Sequence, residues 1–190
     1  MRLRGLSGAR DEFHLAAALT CIGVLLGRHH YISLPYPHYP NLFTCVTGPT
    51  SGARKTGALR TAIDLLLTPL AGRQLGRTLH VARGMSGSGE GLLEHVADTA
   101  HTRSRSLLIY EEELATSLRK MRSESSTLAP FLLQAADALS PMTLATRRRP
   151  LTATAPTVAL LAATTVEWLT SSLREDDVYG GLVNRILWFS

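Results

Sequence analysis

The 190-residue chain has little lysine, cysteine or aromatic side chain, and each shortage excludes something. Its two cysteines, Cys21 and Cys45, cannot build a disulfide framework or a cysteine-rich metal site. Cys45 lies in an apolar run, so both are expected as reduced, buried thiols. No apolar run reaches the roughly 20 residues of a membrane-spanning helix. The longest, residues 15–27, is interrupted by Thr20 and Gly23. A basic N-terminus (Arg2, Arg4, Arg10) precedes that run, but Asp11 and Glu12 break the pattern of a signal peptide. His29 and His30 also stand where small cleavage-site residues belong. A cytoplasmic protein with no membrane partner is the expectation.

Lysine is the most informative scarcity. Eighteen of the twenty basic residues are Arg, and only Lys55 and Lys120 are Lys. A lysine kept at a chemically loaded position against that bias therefore carries weight. The net charge of +5 fits work near polyanions. Hydrophobic residues at 45% and charged ones at 18% provide for a packed core and exclude a disordered or collagen-like chain. The length fits one domain. Residues 1–11 are expected as an N-terminal tail and residues 12–190 as a single folded unit.

Hydrophobic periodicity predicts helices over 12–27, 55–67, 90–100, 113–121, 127–138 and 166–173. Short apolar runs at 42–47, 78–83, 106–110, 158–163 and 184–189 read as strands. Residues 29–41 carry three prolines and are expected as loop or edge strand; residues 140–156 are expected as irregular chain or a hairpin. Strands without polar alternation, separated by helices, predict an α/β fold. Its sheet should be mostly parallel, with helices on both faces in a three-layer sandwich.

The segment Gly48-Pro49-Thr50-Ser51-Gly52-Ala53-Arg54-Lys55-Thr56 follows one such strand and opens a helix. That is the setting of a phosphate loop, where backbone N–H groups and a helix N-terminus wrap the anion. Lys55 is placed to reach the outer phosphates of ATP, and the Thr56 hydroxyl to hold Mg²⁺. The strict G-x-x-x-x-G-K-[ST] spacing is not met: Pro49 and Arg54 stand at the two glycine positions. A second signal lies downstream, where Ser106-Leu107-Leu108-Ile109-Tyr110 runs into Glu111-Glu112-Glu113. Glu111 is read as the carboxylate that holds the Mg²⁺ water shell, and Glu113, or else Glu112, as the one orienting the attacking water. This strand is expected beside the phosphate-loop strand, with Glu111 near Lys55 and Thr56.

These residues resemble a family of P-loop ATPases of unassigned function from bacterial phages, plasmids and integrated elements, associated with primase-polymerase domains. The likeness rests on Pro40-Asn41-Leu42-Phe43, on Gly48-Pro49-Thr50-Ser51 ending in Arg54-Lys55-Thr56, and on Ser86 to Leu92. It continues through Leu107 to Ala115, Thr164-Thr165 and the closing Gly181-Leu182-Val183-Asn184-Arg185-Ile186-Leu187-Trp188. The resemblance implies a RecA-like P-loop domain that powers a helicase or a related DNA transaction, with ATP and Mg²⁺ as cofactors. DNA, further copies of the chain or a partner replication protein are then the expected partners. Members commonly carry Arg-Lys where ordinary loops carry Gly-Lys, and favour acid-x-acid at the second site, which matches Glu111 and Glu113. A nucleotide-binding regulatory or assembly module with weak or no hydrolysis is the alternative.

Arg185 is the expected arginine finger, since a guanidinium spreads over phosphate oxygens as charge develops. In cis it should point toward the loop at Gly52 to Thr56; in trans it should lie on an exposed edge. Thr164 and Thr165 suit a sensor hydroxyl facing the γ-phosphate, with Thr165 taken as the nucleotide contact, or an N-cap of the next helix. The loop at 86–91 reads as a phosphate contact or as a turn in which Ser88 caps a helix. Arg147-Arg148-Arg149 reads as a solvated basic turn or a DNA-backbone contact. His29, His30 and His38 lack partners at metal-ligand spacing.

Overall fold

The computed structural model describes residues 7–49, 54–70, 78–85, 87–99, 105–123, 125–144, 150–174 and 180–190. Helix α1 (Asp11–Leu26) leads into a hairpin of β1 (Ile32–Leu34) and β2 (Tyr36–His38), then β3 (Phe43–Thr47) and α2 (Lys55–Leu66). Next come β4 (Leu79–Arg83), α3 (Gly89–Glu94), β5 (Ser106–Glu111), α4 (Leu114–Met121) and α5 (Leu128–Ala136). A second hairpin, β6 (Met142–Leu144) and β7 (Leu151–Ala153), precedes β8 (Thr157–Thr164) and α6 (Val166–Ser172). A 3-10 turn at Val183–Arg185 then feeds β9 (Leu187–Phe189).

The central sheet has five strands in the order β4-β5-β8-β3-β9, and every pairing in it is parallel. Strand β8 shows why. All eight of its residues are buried, and its side chains divide between the two faces. Val158, Leu160 and Ala162 join one apolar cluster with α3, α4, α5 and the β6–β7 hairpin. Ala159, Leu161 and Ala163 join the other, with α1 and α2. A strand covered on both sides needs no polar alternation, hence its continuous apolar run.

Helix α1 lies on the second face through Phe13 and a row of smaller side chains. Phe13, Ala16, Ala17, Cys21 and Val24 are fully buried at helical spacing. Gly23 lets the helix meet the segment before β3, since a Cβ there would strike the Pro40 carbonyl oxygen. Thr20, also fully buried, donates to Ala16 O at 2.8 Å and meets Thr44 Oγ1 of β3 at 2.7 Å, which satisfies both hydroxyls. Gly27, at φ 58°, ends the helix. Both cysteines are free and buried, and burial pushes the Cys21 thiol up to about 12.

Several expectations shift. The helix expected over 90–100 is only the six residues of α3. Prolines 35 and 37 sit within a hairpin apart from the central sheet, where ladder donors are not needed. Of the strand expected over 184–189, residues 184 and 185 belong instead to the 3-10 turn Val183–Arg185. The described part of the expected tail packs onto the fold: Ala9 is buried, and Ser7 Oγ lies 2.8 Å from His14 Nε2.

Candidate functional site

Strands β3 and β8 are neighbours, yet the helices that follow them leave to opposite faces. Helix α2 buries Ala58 and Leu59 with α1, whereas Leu169 of α6 packs on the other cluster. The crevice at the carboxyl ends of two such strands is where open parallel sheets take their ligands. Lys55 at the start of α2, Thr164 at the end of β8, and Glu113 after β5 come together there: Glu113 bonds to Thr164 and its charge acts on Lys55.

Lys55 opens α2, and its Nζ donates to the carbonyls of Gly48 at 2.7 Å and Pro49 at 2.9 Å. Its ammonium thus sits on the first two carbonyls after β3. Burial lowers its pKa, opposed by the charges of Glu113 and Glu167. Arg54 takes a left-handed conformation, φ 45° and ψ 36°, which favours glycine. Here the Arg54 side chain is held at the other end, with Nη1 donating to Ser7 O at 3.3 Å. Thr50, Ser51, Gly52 and Ala53, expected as phosphate contacts, lie outside the described residues.

The three acids at the end of β5 part company. Glu113 Oε1 accepts from the Thr164 hydroxyl at 2.5 Å, which ties it to the end of β8. Glu112 accepts from the Tyr110 hydroxyl at 2.7 Å and from Arg60 of α2 at 2.5 Å. The Tyr110 hydrogen bond lowers the Glu112 pKa most; burial, next in size, opposes it, and Arg60 adds to the lowering. Burial raises the Tyr110 hydroxyl to about 12. Glu111 accepts from Met85 N–H at 2.9 Å and Ser117 Oγ at 2.6 Å on one oxygen, and from Glu113 N–H at 3.1 Å on the other. Both of its oxygens bond to the chain's own donors.

The expected strand neighbourhood is corrected. Strand β5 does not lie beside β3, because β8 stands between them. Two strand spacings, roughly 10 Å, separate β5 from β3. Glu113, two residues further along, bridges that gap by reaching Thr164. The expected reach of Arg185 toward the loop is also corrected. Residue 187 pairs at the level of Thr44, so Arg185 lies at the amino end of the sheet, whereas Lys55 follows its carboxyl end. Arg185 forks onto Asp137, Nε to Oδ1 at 2.7 Å and Nη2 to Oδ2 at 2.8 Å, and donates from Nη1 to Gly181 O at 2.9 Å. Glu175, Asp176 and Asp177, the acids nearest it in sequence, lie outside the described residues.

Thr165 turns out to cap α6, accepting from Trp168 N–H at 3.1 Å, so its hydroxyl is committed locally. Thr164 is the hydroxyl that faces the acids. Ser88 caps α3 by accepting from Gly91 N–H at 3.2 Å. Arg147, Arg148 and Arg149 lie outside the described residues. The Arg60–Glu112–Tyr110 group was missed in the sequence. Its only signal there is that Tyr110 and Glu112 are two apart at a strand end, with Arg60 one helical turn beyond Thr56.

Among the described residues no three His, Cys, Asp or Glu side chains gather as a metal site, and no helix is long and apolar enough to cross a membrane. Comparison with known proteins gives no match, either to a protein-family model or to a curated protein.

Proposed function

We propose that the chain is an ATP-binding and ATP-hydrolysing P-loop domain of RecA-like architecture, the motor core of a DNA replication or helicase-type protein of a mobile element. One observation carries the reading. Lys55, one of only two lysines, opens α2, the first helix after a buried parallel strand, with its ammonium on the carbonyls of Gly48 and Pro49.

The chain's own residues then have distinct tasks. The first N–H groups of α2 have no partner within the helix and face an incoming phosphate. Lys55 exchanges its two carbonyl contacts for the β- and γ-phosphate oxygens. Glu113, held by Thr164, orients and deprotonates the attacking water. Glu111 positions Glu113 by accepting its N–H and ties the turn after β4 to α4.

The residues fit Mg²⁺ of the kind carried by a nucleotide. That ion is held largely by phosphates and water, with one or two protein oxygens. Thr56, whose hydroxyl makes no hydrogen bond among the described residues, would supply one. Bound there, the ion would neutralise charge developing on the phosphates.

The test is a titration of labelled ATP, with turnover, on wild type and Lys55→Ala. The expected result is at least tenfold weaker ATP binding and loss of turnover in the variant. Equal affinity and equal turnover would overturn the assignment. Binding without turnover in the wild type would favour a regulatory or assembly module.

A further inference from the structure

The hairpin before β3 takes no part in the central sheet or in the nucleotide crevice. Residues 28–39 hold three of the five tyrosines (Tyr31, Tyr36 and Tyr39) and three of the seven histidines, beside Arg28. No Asp or Glu occurs between Glu12 and Asp64. All six residues of β1 and β2 are exposed, Tyr36 at 74% and the preceding Tyr31 at 60%.

The register pairs Ile32 with His38 and Leu34 with Tyr36, so these four side chains share one face. An isolated two-stranded hairpin is marginal by itself, and this one is anchored at its base. The Arg28 guanidinium lies 3.9 Å from the Tyr39 ring and donates from Nη1 to the carbonyls of Ala138 and Pro156. Tyr39 in turn meets Tyr31, with ring centroids 5.8 Å apart. Pro35, Pro37 and Pro40 fix the backbone torsions, so little freedom is left to lose on binding. Against β2 opens a cavity of about 440 Å³ lined by Tyr36, His38, Tyr39 and Asn41, its far side held by the Asp137–Arg185 ion pair.

We propose that this hairpin and the cavity at its base bind single-stranded DNA, with unpaired bases stacking on Tyr36 on one face of the hairpin and on Tyr31, beside Tyr39, at its base. Exposed rings beside the Arg28 guanidinium, with no acid nearby in the sequence and the Asp137 carboxylate of the cavity already paired with Arg185, suit a polyanion that carries flat bases. A protein surface rich in acidic side chains could meet the cations but would leave the rings without stacking partners. The hairpin lies at the amino end of the sheet, away from Lys55, so a bound strand does not compete with nucleotide. The stacking surface stands independently of the ATPase reading. The choice of DNA over RNA rests on it.

The experiment is fluorescence anisotropy with labelled dT20, rU20 and a 20-base-pair duplex, without nucleotide and at low salt. ATP binding is titrated separately on the same wild-type protein, so either reading can fail alone. Wild type should bind dT20 more tightly than the duplex. Tyr36→Ala should weaken dT20 binding about tenfold, and Tyr36→Phe, which keeps the ring, should stay within about twofold of wild type. Because Tyr36 is exposed, both variants should melt with the wild type; if Tyr36→Ala does not, Tyr31→Ala takes its place. No binding of dT20, equal binding by the alanine variant, or equal binding of duplex would overturn the proposal. Tighter binding of rU20 than of dT20 would overturn the assignment to DNA.

Discussion

The Thr164 hydroxyl donates to Glu113 Oε1 at 2.5 Å, joining the last residue of β8 to the residue just before α4. The bond fixes one carboxylate at the crevice between β3 and β8, although its own strand is one place removed from β3. A carboxylate held in that way keeps its orientation when a ligand arrives. It is the part of the site most exposed to test.

Glu113→Gln should lower ATP turnover by about 10²- to 10⁴-fold, the range for loss of a positioned base. ATP affinity should stay within about threefold, since a general base acts in the transition state. Thr164→Val, which leaves the carboxylate present but unheld, should cost less, about tenfold. Steady-state turnover beside an equilibrium ATP titration checks both. Unchanged turnover in Glu113→Gln would remove Glu113 from the mechanism.

Glu111 should behave differently. Its carboxylate satisfies Met85 N–H, Glu113 N–H and the Ser117 hydroxyl. Glu111→Ala strands these donors at a part-buried place, which should cost about 2 to 3 kcal/mol. The melting temperature should fall by roughly 4 to 12 °C. An unchanged melting curve together with altered Mg²⁺ dependence would instead restore Glu111 as the metal-holding acid.

Glu112 links stability to acid. Its pKa in the folded chain lies below the ordinary 4.5, chiefly through the Tyr110 hydrogen bond. Between the folded and unfolded values the unfolded chain binds more protons, so stability rises with pH there. The contribution is complete above about pH 4.5 and disappears as pH falls through the folded value. Glu112→Gln should therefore flatten that acid limb in urea melts taken from pH 5 down to pH 3. A slope equal to that of wild type would exclude the linkage.

Arg185 should matter to stability more than to chemistry. Its fork with Asp137 is partly exposed, which limits its contribution to about 1 kcal/mol. Arg185→Ala should lower the melting temperature by roughly 2 to 4 °C. Asp137→Asn should have nearly the same effect, and the double variant little more than either. A turnover loss of 10²-fold or more in Arg185→Ala, with melting unchanged, would mark an arginine acting in another copy's site.

The element types were legible in the sequence because they depend on local pattern. Apolar runs such as residues 107–109 and 158–163 need two covering faces, and that demand alone implies a parallel sheet with helices on both sides. Lys55 at a strand-to-helix turn was visible for the same reason, since the turn, the helix start and the side chain are neighbours along the chain. The strand order was not, because no local feature of β8 says that it inserts between β3 and β5. That insertion decides which acid reaches the crevice: Glu113, which bonds to β8, and not Glu111, which bonds to the loop after β4. The partner of Arg185 was equally hidden. Asp137 lies 48 residues away, and only the packing of α5 beside the 3-10 turn at 183–185 brings its carboxylate within hydrogen-bonding reach.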